Sequence, residues 1–476
     1  MKLKSLLDGV DIVTIKNFKN INIKNITHIS SDVEKNGMFI CIKGNNYNGN
    51  DYIDEVLKRG AKCVITEFDI NVTNCVVVVV KNIRQSMSLV AKNFYNKCCD
   101  EMEIVGVVGT SGKTTSSIMI GQLLGGAGEC VGVIGTNGIF IDNIRMENKF
   151  TTPDPLELHY VFCQMKLFGV TKVIMEVSAQ AIYYEKLYGI RFKLCLFTNI
   201  SQEHLDFFGS MENYVKCKMN FFNSKNMDEC VINVDDFYGM ELAYKVDIPC
   251  VTYGLKNPAN SFAIDLDLNI DKSEFVCNVL DDCLNIKSPF VGIFNVYNLL
   301  GALTVVKLLN QSVDLQLLVG NLRMIDGRFN ICKYNNSKII IDFAHTPDSI
   351  EKLLSLIRQF SNGRIVSLFG CVGYSDKKKR VDIAEVVSRY SDYAIITTDN
   401  RGMVSFEEIA KDIREGLSVK FVEIEDRKIA IKYGVDILKD DDILVLIGKG
   451  AENFQKIEND RVSYSDIECV KELLKQ

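Results

Sequence analysis

Proline is scarce in this chain, with six among 476 residues, and histidine is scarcer still at four. With few Ser/Gly-rich stretches as well, no linker is written into the composition, and each junction between parts is legible only to about ten residues. The sixteen cysteines never form a C-x-x-C pair, and the adjacent Cys98-Cys99 is no zinc spacing. They are scattered, often inside apolar runs (Cys41, Cys63, Cys130, Cys195, Cys277, Cys371), which argues against a disulfide framework. They read as small buried hydrophobes of a reducing compartment. No apolar run approaches the roughly 18 residues of a spanning helix, so no membrane span is expected. Met1–Asp8 lacks the apolar stretch of a secretory signal. A formal net charge of −6 is the wrong balance for non-specific nucleic-acid binding, which needs a basic face. These absences predict a cytoplasmic protein with no nucleic-acid partner.

What is present is ample core material. Hydrophobic residues make up 47% and charged residues 24% of the chain, and the length suggests roughly three domains of about 150 residues. The first part shows strand-like Gly37–Ile42 and Cys75–Val80 around a helical Asp51–Arg59. The second, starting near Glu103, carries buried-strand runs at Val173–Met175 and Leu194–Thr198, a helical Met211–Phe222 and another helix after Phe294. The third starts near Asp326-Gly327-Arg328, and Lys338–Ile341, Arg364–Phe369, Tyr393–Thr398 and Ile443–Ile447 read as buried parallel strands. The expected class is α/β throughout: a small N-terminal domain (1–98), a central domain with a mostly parallel sheet (99–326) and a Rossmann-like C-terminal domain (327–476). No internal repeat or low-complexity tract is present.

The strongest local signal is Gly106-Val-Val-Gly-Thr-Ser-Gly-Lys-Thr-Thr115, directly after the apolar Ile104-Val105. A strand running into a glycine turn and then Lys-Thr builds a phosphate cradle. Glycines admit backbone N–H groups to phosphate oxygens, Lys113 supplies charge, and the Thr114 hydroxyl can face Mg²⁺. The common P-loop spacing would place glycine at 107, where Val107 stands, so the loop is the shorter Gly109-Thr110-Ser111-Gly112-Lys113-Thr114. An ordinary strand-to-helix turn is the alternative. The loop predicts a chain that handles a nucleoside triphosphate.

Other polar clusters follow predicted strands, where α/β proteins bind ligands. Glu176, in Glu176-Val177-Ser178-Ala179-Gln180, can complete a Mg²⁺ site with Thr114, or can be a helix-capping or surface carboxylate. His204 lies just past the strand ending at Thr198, and a lone histidine is more often structural than a ligand. Lys218, on its own spacing, is a solvated helix lysine. Lys377-Lys378-Lys379-Arg380 is ordinarily a solvated face, but it follows a strand and the glycine turn 370–373, which makes anion binding plausible.

Taken in order, these motifs resemble the Mur ligases, of the MurE type, over nearly the whole chain. The residues that carry the resemblance are Thr110–Thr115, Thr151-Thr152-Pro153, Glu176-Val177-Ser178, Thr198–Asp206, Phe294–Asn298, Gly327-Arg328, Asp342–Pro347 and Gly448-Lys449-Gly450. The resemblance implies an ATP-dependent amide ligase of peptidoglycan precursor synthesis that uses ATP and Mg²⁺. In such enzymes the free carboxylate of UDP-MurNAc-L-Ala-D-Glu becomes an acyl phosphate that the amine of an incoming amino acid attacks. By the same resemblance Lys218 is carbamylated by CO₂ and, with Thr114, Glu176 and His204, serves the metal. Lys113, Lys218, His204 and Glu176 form the catalytic group. Gly109–Thr115, Asn295, Asn298, Arg328, Asp342 and His345 meet ATP. Ser31, Thr151, Thr152, Ser178 and Gln180 meet the UDP-sugar. Arg380, Asn400, Arg401, Gly448 and Glu452 meet the diamino acid. A monomer is expected.

Departures from the family pattern are specific. The N-terminal Asp-Ser-Arg appears as Ser30-Ser31-Asp32, and Ser-Ser-His appears as Ser178-Ala179-Gln180. Glu203 stands for Asp, and Ala451 for His. The diaminopimelate-adding members carry Asp-Asn-Pro-Arg, whereas this chain has Asp399-Asn400-Arg401-Gly402, its arginine moved by one and the proline gone. An arginine against a distal carboxylate favours meso-diaminopimelate, since L-lysine has no such carboxylate. The alternatives are L-lysine or another diamino acid, a folylpolyglutamate-type relative with a different acceptor, and a decayed ligase that only binds.

Overall fold

The computed structural model describes residues 1–475 except 45–46, 142–143, 147–149, 374 and 376. The first part is a sheet ordered Ile12–Lys16, Val76–Val80, Cys63–Thr66, Met38–Ile40, Ile26–Thr27. All pairings are parallel except that of Ile12–Lys16. The valine run Val76–Val80 is buried on both faces. Val76, Val78 and Val80 pack with Met87 and Val90, while Val77 and Val79 pack with Ile53 and Val56. An uninterrupted β-branched run suits a strand covered on both sides.

The central sheet has eleven described strands. Its middle is parallel, ordered Val131–Gly135, Lys172–Val177, Glu103–Val108, Phe192–Phe197, Met227–Asn233, Cys250–Gly254 and Ser261–Leu268. Antiparallel strands flank it: Gly138–Ile141 and Ile144–Met146 on one side, Ser273–Val279 and Asp282–Ser288 on the other. The strand that feeds the glycine loop is therefore central. The carboxyl ends of its two neighbours, Lys172–Val177 and Phe192–Phe197, open beside it. This juxtaposition gathers the loop, Glu176 and the 198–204 segment.

The helix Met211–Met219 stops three residues short of the sequence expectation. Phe221 and Phe222 leave it to bury against Phe192 and Phe197, with ring centres 5.5 and 5.8 Å apart. Burying two aromatic side chains outweighs continuing a single helical turn.

The third part is ordered Asn330–Tyr334, Ser337–Asp342, Ile443–Ile447, Ile365–Phe369, Tyr393–Ile396, Lys420–Glu423, all parallel but the first pair. A hairpin, Phe454–Ile457 with Asp460–Ser463, follows. All sixteen cysteines are free thiols, most of them buried. Among the described residues, no helix is long and apolar enough to cross a membrane.

Candidate active site

A cavity of about 1510 Å³ is walled by all three parts of the chain: Ile42 and Arg84 from the first, Lys113, Thr152, Glu176 and Glu203 from the second, Arg328, His345 and Glu452 from the third. Its floor is the glycine loop, which neighbouring strand ends hold in shape. Thr110 N donates to Asn199 O at 2.8 Å, Ser111 N to Asn199 Oδ1 at 2.9 Å, and Thr198 Oγ1 to Ser111 O at 2.7 Å. Two positions have no space for a side chain unless a neighbour moves. A Cβ at Gly109 would lie 1.9 Å from Thr198 Oγ1; at Gly112, where φ is +86°, it would lie 2.4 Å from Asn298 Oδ1. Lys113 Nζ folds back onto the carbonyls of Gly109 (3.0 Å) and Thr110 (2.7 Å), which sets its ammonium at the loop mouth. Thr114 and Thr115 begin the fourteen-residue helix Lys113–Gly126 and line the cavity. A cradle with no room for side chains, a helix N-terminus and a lysine together fit the phosphates of a nucleotide.

Glu176 is buried at the end of its strand. Its Oε1 accepts from Thr136 N at 2.7 Å and its Oε2 from Thr136 Oγ1 at 3.2 Å. Thr151 Oγ1 meets that same Thr136 hydroxyl at 3.1 Å. Thr152 Oγ1 donates to Glu176 O at 2.8 Å and accepts from Ser178 N at 3.0 Å, so the Thr-Thr-Pro segment is clamped to the strand carrying Glu176. Ser178 caps the short helix Ala179–Tyr183, and Gln180 reaches the cavity wall.

Glu203 stands between two histidines, 3.6 Å from His204 Nε2 and 3.7 Å from His345 Nε2. Burial would raise its carboxyl's pKa, but His345, Lys113 and His204 together hold it well below the usual range. His345 belongs to the third part, so this contact bridges the cavity. Burial lowers the pKa of His204, which sits at φ +56°. Among the described residues no three His, Cys, Asp or Glu converge as a metal cage. Mg²⁺ held by phosphates and water needs only one or two protein oxygens, and the donor set fits that demand.

Lys218 is not the solvated lysine its spacing alone suggested: it is 1% exposed. Its Nζ donates to Tyr214 Oη and, at 3.3 Å, to Thr110 Oγ1 of the loop. Burial, reinforced by the Lys113 charge, pushes its pKa well below that of an ordinary lysine. Asn295 and Asn298 are buried on the helix Ile293–Leu309, linked to each other at 3.2 Å, with Asn298 against Gly112. Arg328 lies over the Phe343 ring at 4.7 Å, and its buried Nε lacks a partner among the described residues. Burial lowers its pKa, against the pull of Asp342 and Glu176. An orphaned guanidinium nitrogen at a cavity wall fits an anionic ligand. Asp342 is tied to backbone, accepting from Phe329 N and Ala344 N at 2.7 Å each.

Not every anticipated residue reaches the cavity. Ser31 is exposed and bonds Asp32 at 2.8 Å, whereas His28 of the same segment does line the wall. Arg380 is buried, with Nη1 on Asp412 (2.8 Å) and Nη2 on Gly373 O (2.8 Å), while its Nε lacks a partner among the described residues. Arg401 bonds its own loop at Val404 O, 3.2 Å. Of the five residues expected at the amino acid, Glu452 is on the wall, held by Lys449 at 2.7 Å and by Asn400 at 3.0 Å; Gly448 packs beside Asp399. Thr136, Tyr214 and Lys449 were missed as site residues. Only Lys449, inside the Gly448-Lys449-Gly450 motif, carried a usable signal.

A phosphate loop at the centre of a parallel sheet, faced across a large cavity by a second α/β unit, defines a nucleotide-using α/β enzyme. The Mur ligase middle domain matches residues 107–306, the Mur ligase glutamate ligase domain 327–450, and the Mur ligase family catalytic domain 22–100. The chain belongs to the Mur ligase family. It is 36% identical, over the full length of both chains, to UDP-N-acetylmuramoyl-L-alanyl-D-glutamate–2,6-diaminopimelate ligase 1 of Clostridium acetobutylicum. It is 33% identical, again over the full length of both, to the ligase of that description in Clostridium botulinum. A solved structure of a UDP-N-acetylmuramoyl-L-alanyl-D-glutamate–2,6-diaminopimelate ligase superposes with a TM-score of 0.70 at 26% identity, covering 100% of this chain and 99% of that one. A folylpolyglutamate synthase of Mycobacterium tuberculosis shares the fold, with a TM-score of 0.65 at 14% identity, over 76% of this chain and 92% of that one.

Proposed function

We propose that this chain is an ATP-dependent ligase that adds 2,6-diaminopimelate, in its meso form, to UDP-MurNAc-L-Ala-D-Glu in the cytoplasm. The observation that carries this reading is one cavity walled at once by the phosphate loop, Glu176 and Glu452. ATP supplies the phosphoryl group that turns the acceptor carboxylate into an acyl phosphate, releasing ADP; the incoming amine attacks the acyl carbon, forms the amide bond and expels inorganic phosphate. The domain limits that go with this reading are 1–98 for the UDP-sugar, 99–326 for ATP and 327–476 for the amino acid.

The roles follow from charge and position. Lys113 neutralises phosphate charge as it develops, the main need of phosphoryl transfer. Thr114, Glu176 and His204 would hold Mg²⁺, which supplies charge neutralisation at the phosphates. Lys218, whose charged form burial disfavours, is chemically able to capture CO₂ as a carbamate, which converts it to an anion beside the loop. Arg328, Asp342 and His345 lie across from the loop, where they position the nucleotide and exclude water from the acyl phosphate. Asn295 and Asn298, which line the same cavity, are assigned to the nucleotide. Thr151, Thr152, Ser178 and Gln180 face the sugar acceptor. A monomer suffices, because one chain supplies every wall.

The test is phosphate release by the purified protein with Mg-ATP and UDP-MurNAc-L-Ala-D-Glu, run against meso-diaminopimelate, L-lysine, L-ornithine and no amino acid, with mass detection of product. Turnover with meso-diaminopimelate is expected. ATP binding without turnover in any arm would sink the ligase reading.

A further inference from the structure

The end of the strand Val131–Gly135 wraps the Glu176 carboxylate. A Cβ at Gly135 would lie 2.1 Å from Glu176 Oε1, so only bare backbone passes there without a shift, and Thr136 N donates to that oxygen at 2.7 Å. The other oxygen, Oε2, accepts from the Thr136 hydroxyl at 3.2 Å, and that hydroxyl meets Thr151 Oγ1 at 3.1 Å. Thr136, Thr151 and Glu176 all line the cavity.

A hydroxyl has a single proton to donate, and a carboxylate only accepts. The direction of the chain is thereby fixed. Thr136 spends its proton on Glu176, and Thr151 spends its own on Thr136. Thr151 Oγ1 then offers the cavity lone pairs alone. The arrangement reverses when a cation takes Oε2, the carboxylate oxygen without backbone packed against it. The Thr136 proton then turns to Thr151, and the Thr151 proton is released toward the cavity. An anionic oxygen beside Thr151 is repelled by the first arrangement and receives a charge-assisted hydrogen bond in the second.

We propose that the hydroxyls of Thr136 and Thr151 form a reversible relay, which couples a divalent cation at Glu176 to an anionic oxygen of the acceptor. The acceptor then binds tightly only once the cation is in place. This rests on the ligase reading above, with Mg²⁺ at Glu176 and the acceptor at Thr151. Thr136 acts through these two neighbours and is a positioning residue.

The experiment measures, by calorimetry, the Kd of UDP-MurNAc-L-Ala-D-Glu in the presence of a β,γ-methylene ATP analogue, once with Mg²⁺ and once with EDTA. It is run on wild type, Thr136→Val, Thr136→Ser and Thr151→Val. Thr136→Val leaves the Thr151 proton free in both conditions. The factor by which Mg²⁺ tightens acceptor binding should therefore shrink roughly 10-fold in that variant, through tighter binding in EDTA. A merely damaged site would not bind more tightly. Thr136→Ser should keep the wild-type factor, whereas Thr151→Val should bind weakly in both conditions with the factor reduced. An equal Mg²⁺ factor in wild type and Thr136→Val overturns the proposal, as does a smaller factor that comes only from weaker binding in Mg²⁺. If Thr136→Val does not fold, a wild-type factor in Thr151→Val overturns it instead. A wild type that binds the nucleotide analogue but never the acceptor fails at the ligase reading and takes the relay with it.

Discussion

Lys218 Nζ lies in contact with the hydroxyl of Tyr214, one helical turn away, and 3.3 Å from Thr110 Oγ1, in a pocket where Lys218 is 1% exposed. A buried cation would be costly there, and the hydroxyls around it can also hydrogen-bond a neutral amine, donating to its lone pair.

Lys218→Ala is therefore expected to lose about 10²-fold or more in kcat, with recovery when short-chain carboxylic acids are added. Undiminished activity in that variant would remove the carbamate from the proposal. A pH signature goes with it. The folded state holds fewer protons at Lys218 than the unfolded chain does, whose lysine has the ordinary value of 10.5. Unfolding thus takes up a proton, and stability rises with pH through the window from the lowered folded value up to 10.5. In CO₂-free buffer the melting temperature of Lys218→Met should show a flatter rise across that window than wild type.

Gly109→Ala places a methyl group 1.9 Å from Thr198 Oγ1. Relieving the clash costs about 1–3 kcal/mol and displaces the loop, so ATP affinity measured by calorimetry should collapse while far-UV circular dichroism stays native. Retained affinity would mean the cradle tolerates a side chain.

Glu203→Gln removes the charge that His204 and His345 share across the cavity. The wild-type carboxyl is held below its ordinary value of 4.5 in the fold, so it stabilises the protein above that pH, and the contribution fades as pH falls toward the folded value. The variant should be less stable at neutral pH, and its urea midpoint should fall less between pH 6 and 3 (values chosen about the ordinary carboxyl pKa). Parallel acid limbs in the two proteins would count against the bridge.

Arg427 and Asp466 form a wholly buried pair, with both guanidinium contacts at 2.8 Å and Tyr464 Oη adding 2.7 Å. Asp466→Ala strands a buried cation and should cost about 3–5 kcal/mol. The double variant Arg427→Met/Asp466→Leu should cost clearly less. Equal urea midpoints for the single and double variants would show that the stranded charge is not what destabilises.

Much was legible along the chain. The α/β class, the position of the glycine loop and the strands preceding Glu176 and Thr198 follow from apolar runs and turn residues, which are local properties. The antiparallel flanks of the central sheet were not marked as such. Ser273–Val279 does alternate in burial, but alternation identifies a half-covered strand without naming its partner. The early end of the helix at Met219 was also hidden, because Phe221 and Phe222 leave it for contacts with strand residues about thirty positions upstream.

At the site, the sequence by itself determined which chemical groups exist and their order: Gly109 through Thr115, Glu176, His204, Lys218, Glu452. The tertiary structure alone decided their states and directions. It buried Lys218 and so lowered its proton affinity, drew His345 across the cavity to Glu203, and turned Arg401 onto its own loop while the hairpin brought Arg461 to the wall. Burial, charge proximity and orientation are sums over neighbours distant in sequence. Spacing within one segment carries no record of them.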